Sequence, residues 1–148
     1  EAGREVDPHY VRQGPYTEDD GTRMALDLLD QPEPPDAIFA GNNLLAAGLL
    51  AAVHVRNIRV PKELALAAFG EVPWMRLVNP PLTVVRQPIY ELGTAAANLL
   101  LERIANRASR GTEAAPPREV LLSGQLLIRE SSLRNGYVAQ PGGSLQLK

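Results

Sequence analysis

The 148-residue chain has no cysteine. Disulfides, thiolate nucleophiles and cysteine metal sites are therefore excluded, which fits a reducing compartment without establishing one. Histidine is scarce: His9 lies in an acidic extended stretch and His54 on an apolar helix. Neither sits at a strand end, where a catalytic base or a metal ligand would be presented. No apolar run approaches the roughly 18–20 residues of a membrane helix, and no signal peptide opens the chain. The chain starts at Glu1-Ala-Gly-Arg4, not at Met, and reads as the interior of something longer. Also missing are a Gly-x-Ser-x-Gly elbow, a phosphate loop, a dinucleotide fingerprint and a His-x-x-x-His pair. Catalysis is unsupported, and neither cofactor nor metal is expected.

What is there is an ordinary globular composition, 45% hydrophobic and 22% charged, long enough for one domain with a real core. The net charge of −2 is uneven. Residues 1–36 hold ten acids against three arginines, a net of −7, while residues 37–148 hold twelve bases against seven acids, a net of +5. Those bases are scattered singly, not massed into the basic helix or arm that grips nucleic-acid phosphates.

The chain's organising stretch is Ala37-Ile-Phe-Ala-Gly-Asn-Asn-Leu-Leu-Ala-Ala-Gly48. It predicts a short buried strand, a turn at Gly41-Asn42 and a helix from Asn43 to about Arg56. One of the two amides can cap the helix, leaving the other to face whatever lies beyond the strand's carboxyl end. Upstream, Thr17-Glu-Asp-Asp20 is a helix start, with Met24, Ala25, Leu28 and Leu29 as its apolar side and Pro32 to Pro35 as its stop. Downstream, Leu64–Phe69 and Leu82–Gln87 predict two further strands. Strand, helix, strand with short turns is a βαβ unit of a parallel sheet. A long helix follows from Ile89 to Arg107, its buried side Leu92, Ala96, Leu99, Leu100 and Ile104. After a polar link at 108–117, two short strands are predicted at 119–122 and 125–129, then a loose tail.

The helix after Asn43 is apolar nearly all round, with no charge before Arg56. A surface helix usually has a polar back. Here one face covers the sheet and another meets either a second protein surface, a homodimer being the simplest, or another part of the same chain. If the strands are parallel, Asn42, Gly70-Glu71 and Gln87 gather at one sheet edge. Tyr16, just before a helix start, supplies an aromatic ring that either packs locally or stacks on a ligand. Amides with an aromatic make a site for a small polar molecule.

Five stretches together carry a family likeness: Phe39–Gly48, Val60-Pro-Lys-Glu-Leu-Ala-Leu-Ala-Ala-Phe69, Pro80-Pro-Leu-Thr-Val-Val-Arg-Gln-Pro88, Glu91-Leu-Gly93 and Leu127-Ile-Arg-Glu-Ser131. In order and spacing, across residues 14 to about 132, they resemble the effector-binding domain of LacI/GalR-type bacterial transcription repressors. The resemblance implies an α/β, periplasmic-binding-protein-like (type I) domain, of which this is an incomplete, Rossmann-like, three-layer parallel-sheet part. By that likeness, residues 1–86 and 118–132 make the distal subdomain, 87–117 belong to the other subdomain, and 133–148 are a loose C-terminal tail. Tyr16 matches the aromatic that stacks on the effector, Asn42 the effector contact after the first strand, and Gln87 a hinge residue facing the cleft. Leu44, Ala47, Gly48, Ala51 and Val55 of the apolar helix, with Trp74 to Val78, match the dimer surface.

Two departures stand out. The family usually places an acid at the position of Gly70, where it accepts bonds from the effector, and only Glu71 follows here. The helix-turn-helix is also absent, so contact with DNA would run through a domain this chain does not contain. The resemblance implies a cytoplasmic, effector-sensing and dimerising part of a regulator, binding a sugar-like or other small polar metabolite weakly on its own. A solute-binding protein of a transport system shares the fold and is the alternative. The helix 89–107, separated from its usual sheet, is expected to dock elsewhere on its own chain or on a second copy.

Overall fold

The computed structural model of the chain describes residues 5, 7–110, 116–134, 137–139 and 145–147. It divides into two compact units, one made of residues 1–86 with 126–148 and the other of residues 87–125.

In the first unit, helix α1 spans Glu18–Leu29. Thr17 caps it, its side-chain oxygen accepting from the Asp20 N–H at 3.1 Å, and Glu18, Asp19 and Asp20 favour the positive end of the helix dipole. Strand β1 (Ala37–Ala40) leads into helix α2 (Asn43–Val55), and the chain returns as strand β2 (Ala65–Phe69). β1 and β2 are parallel, Ala37 opposite Ala65 through Ala40 opposite Ala68. Strand β3 (Thr83–Arg86) adds on in parallel, with Ala67 opposite Thr83, and strand β4 (Gln125–Leu127) follows it in the order β1-β2-β3-β4. β1 is thus an edge of the sheet among the described residues.

The core lies between α2 and the sheet. Ala46, Leu49, Ala52 and Val53 of α2 meet Leu64, Leu66, Ala68, Leu82, Val84 and Met75, all buried. A second face of α2 packs on α1 at backbone contact. A Cβ built on Gly48 would stand 2.2 Å from the Glu18 carbonyl oxygen, and one on Gly21 2.9 Å from the Leu45 Cα. Only glycine permits helices that close.

The far side of the sheet is tied by a buried polar knot. Fully buried Ser131 accepts from the Thr83 N–H at 2.8 Å and donates to the Leu66 carbonyl at 2.7 Å. The Thr83 hydroxyl in turn donates to the Arg129 carbonyl at 2.9 Å. Segment 129–132, including a 3-10 turn at Glu130–Ser132, is thereby fixed to β2 and β3. Its polar atoms are satisfied, as buried ones must be.

The second unit is helix α3, Ile89–Arg110, and the chain up to β4. The sequence predicts Leu92, Ala96, Leu99, Leu100 and Ile104 as a buried side. Instead all but the partly buried Leu99 are exposed. Amphipathic spacing is present, but no layer covers it. The strand expected at 119–122 is absent: these residues are exposed and unpaired, since the second unit offers them no strand among the described residues. The strand expected at 125–129 shortens to β4. In the tail, strands β5 (Tyr137–Ala139) and β6 (Leu145–Leu147) pair antiparallel where no element is expected from sequence; positions 135–136, 140–144 and 148 lie outside the described residues.

Candidate functional site

Because β1, β2 and β3 are parallel, their carboxyl ends share one edge. Ligands of open α/β sheets bind beyond such ends. At the end of β1, Asn42 is extended (φ −158°, ψ 177°) and is itself the α2 cap, its Oδ1 accepting from the Leu45 N–H at 2.8 Å. Asn43 is the exposed first residue of the helix. The residue expected to face a ligand therefore already does the capping. Its acceptor oxygen is occupied, and its NH₂ group is what remains to bind with.

Tyr16 is 69% exposed. It stands on the rim of a groove of about 1050 Å³ lined by Tyr10–Gly14, by α1 residues including Met24 and Leu28, and by Ala37–Gly41. The floor is apolar, and the open edge of β1 forms one wall. Tyr16 and Gly41 both belong to the groove's lining.

At the end of β2, Gly70 adopts φ +86°, a conformation side chains resist, and nothing lies within 4 Å of where its Cβ would be. Its N–H donates to the Val85 carbonyl at 2.9 Å, seating it beside the end of β3. Glu71, expected at the ligand edge, is ion-paired. Its side chain is only 9% exposed and both its oxygens are taken. Oε2 accepts from Arg86 Nε at 2.5 Å, Oε1 accepts from the Arg129 guanidinium, and Arg76 Nε stands 3.6 Å from Oε1. The hydrogen bond from Arg86, then that from Arg129, holds the carboxyl below its ordinary value against the opposing effect of burial. Glu71 anchors the ends of β2 and β3, and both of its oxygens already accept from arginines. The three arginines were not singled out by sequence, because residues 58 positions apart meet only through the fold; an acid after one parallel strand and a base closing the next was the available signal.

Gln87 is the first residue of the second unit, directly after Arg86, and its carbonyl accepts from the Ile89 N–H at 2.9 Å. His9 and His54 are exposed, His9 bonding through its N–H to Asp7 at 2.9 Å. No group of three or more potential metal ligands occurs, and no helix is long and apolar enough to cross a membrane, among the described residues.

Of the residues expected on a dimer surface, Leu44 (45% exposed) and Val55 (59%) are open, with Ala47 and Ala51 half-buried between them. Gly48 is not on that face: it is buried against α1, because the helix–helix approach requires it there. Trp74 and Val78 are likewise partly buried against the core, in and after a 3-10 turn at Pro73–Arg76, while their neighbour Leu77 is exposed.

The model of the periplasmic binding protein-like domain matches residues 1–132. The HTH-type transcriptional repressor CytR of Escherichia coli (strain K12) is 35% identical over 99 residues, 67% of this chain and 29% of its own length. The HTH-type transcriptional repressor PurR of Escherichia coli O139:H28 (strain E24377A / ETEC) is 32% identical over 131 residues, 88% of this chain and 37% of its own. The chain thus spans about a third of the length of these relatives. Among solved structures, the transcriptional regulator CelR–cellobiose complex superposes with a TM-score of 0.74 at 30% identity, covering 88% of this chain and 38% of that one. The transcription regulator CcpA of Lactococcus lactis does so with 0.73 at 26%, covering 87% and 45%.

Proposed function

The chain belongs to the periplasmic binding protein-like domain family, and from that premise we propose that it is the effector-sensing part of a LacI/GalR-type transcriptional regulator. The observation that carries this reading is the common edge of three parallel strands, with Asn42 at the end of β1 and Tyr16 lining an open groove that reaches the neighbouring Gly41. It is supported by relatives that are transcriptional repressors and by a neighbour solved with cellobiose. The ligand is a small polar metabolite. Tyr16 stacks on it, and the Asn42 NH₂ donates to it.

In the whole regulator, a ligand that favours one arrangement of the effector-binding domain shifts a two-state equilibrium that a cytoplasmic, DNA-binding part reports. The exposed stripe Leu44–Ala47–Ala51–Val55 is the homodimer surface, since an apolar helix face left open to water is stabilised by a self-complementary copy. Residues 87–117 are the part contributed to the other subdomain, and 133–148 an appendage. Effector binding by these 148 residues alone is weak because only part of the cleft is present.

Amide-resolved NMR titration of the 148-residue chain with neutral sugars, nucleosides, sugar phosphates and sugar acids tests this. The expected result is millimolar binding by at least one class, with shifts at Tyr16, Gly41, Asn42 and Gly70 that Tyr16→Ala removes. Binding by none, or shifts only elsewhere, would contradict the reading.

A further inference from the structure

We propose that the ligand edge is built for an anionic group, a phosphate or carboxylate carried on the small polar metabolite; this rests on the effector-sensor reading above. A neutral polyol offers hydroxyls that both donate and accept, whereas an ionised carboxylate or phosphate draws on donors and positive charge. At the carboxyl ends of β1, β2 and β3 the first unit contributes the side chains of Asn42, Asn43, Glu71 and Arg86, Gly41 and Gly70 having none. The Asn42 oxygen caps α2. Both Glu71 oxygens, the only carboxylate of the edge, are held by arginines. Asn42 and Asn43 are neutral amides whose NH₂ groups can donate to an anion, and the groups that carry charge to solvent at this edge are guanidiniums.

Charge points the same way. One carboxylate faces three guanidiniums, those of Arg76, Arg86 and Arg129, leaving a surplus of two positive charges in the cluster. Arg129 is largely buried and also donates to the Leu82 carbonyl at 2.9 Å, so it belongs to the framework. Arg86 and Arg76 are the accessible ones. Each meets Glu71 through Nε, at 2.5 Å and 3.6 Å, which leaves the two terminal nitrogens of each head for another acceptor. A guanidinium is a fixed fork of donors with no acceptor, matched to phosphate and carboxylate. Gly70 beside them keeps the approach open, with nothing within 4 Å of its missing Cβ.

The test compares a hexose phosphate, a hexuronate, the neutral hexose and inorganic phosphate by NMR titration of the 148-residue chain, in 50 mM and 500 mM salt. Expected are shifts at Gly70 and Arg86 from the hexose phosphate or the hexuronate, with affinity roughly tenfold above that of the neutral hexose. Arg76→Gln, at an exposed and loosely paired position, is expected to lower the affinity about tenfold, as is raising the salt. Arg86→Gln gives a second reading, its fold checked by the same spectra. Neutral hexose or nucleoside binding at this edge as tightly as the anions would overturn the inference and leave the sensor reading standing. Inorganic phosphate binding as well as the hexose phosphate would mean an adventitious ion only. No binding by any compound would overturn both.

Discussion

Helices α2 and α3 both carry aliphatic rows, α2 nearly all round and α3 on one side, and meet opposite fates. α2 is 13 residues long, and its Ala46, Leu49, Ala52 and Val53 are buried in the core while Gly48 touches a second helix. α3 is 22 residues long, and Ile89, Leu92, Leu100, Leu101 and Ile104 all lie open, Leu100 at 59% exposure. The difference in cover lies in what surrounds each helix. α2 is bracketed by two parallel strands and faced by α1, so two of its apolar rows find a surface and only the Leu44–Val55 stripe stays open, whereas α3 has no layer of its own unit to cover it. An amphipathic pattern specifies which face wants cover; only neighbouring chain provides it.

Glycine exposes this contrast most sharply, because one substitution is expected to act with opposite signs. Gly48→Ala forces a Cβ to within 2.2 Å of the Glu18 carbonyl oxygen, so α1 and α2 must part. Urea unfolding is expected to show a loss of roughly 3 kcal/mol or more, at the upper end of overpacking costs. Gly93→Ala in α3 meets nothing within 4 Å and is expected to be stabilising, by roughly 0.5–1 kcal/mol, through helix propensity alone. Equal effects would dissolve the comparison.

Leucine truncation is next in size. Leu66→Ala, in a fully buried strand position, is expected to cost about 3 kcal/mol, and Leu100→Ala on α3 less than about 0.5 kcal/mol. A large cost at Leu100 would reveal a cover for α3 in solution. Ser131→Ala removes the side chain on which the Thr83 N–H and the Leu66 carbonyl converge, and is expected to cost about 2 kcal/mol by thermal or urea unfolding.

The smallest effect is with pH. The Glu71 carboxyl sits below its ordinary value of 4.5 when folded, so its contribution is complete above that pH. It is lost as acid drives the pH down through the depressed value. Glu71→Gln is therefore expected to flatten the acid limb of stability below pH 4.5, measured by urea midpoints across pH. An unchanged limb would mean that the ion cluster contributes nothing.

Local chemistry made much of this fold legible. Thr17 as a cap, the β1 span, the α2 start at Asn43 and the parallel βαβ order follow from side-chain type and short-range spacing. What sequence could not show is long-range and competitive. Asn42 was read as free to meet a ligand, yet the unsatisfied Leu45 N–H claims its oxygen. Glu71 was read as a ligand contact, yet Arg86 and Arg129 arrive from 15 and 58 positions away. Gly48 was read as a surface position because its row on α2 is apolar, and only the approach of α1 assigns it inward. The pair Thr83–Ser131 was unmarked for the same reason, being joined across 48 positions.

Amide hydrogen exchange of the 148-residue chain, read residue by residue, tests most directly the claim that one unit is a self-sufficient, ligand-presenting half while α3 lacks cover. The predicted result is that amides of β2, β3 and α2 exchange only through global unfolding. Those in the middle of α3 should exchange at least roughly a hundredfold faster, through local opening. Protection of α3 equal to that of β2 would contradict the account.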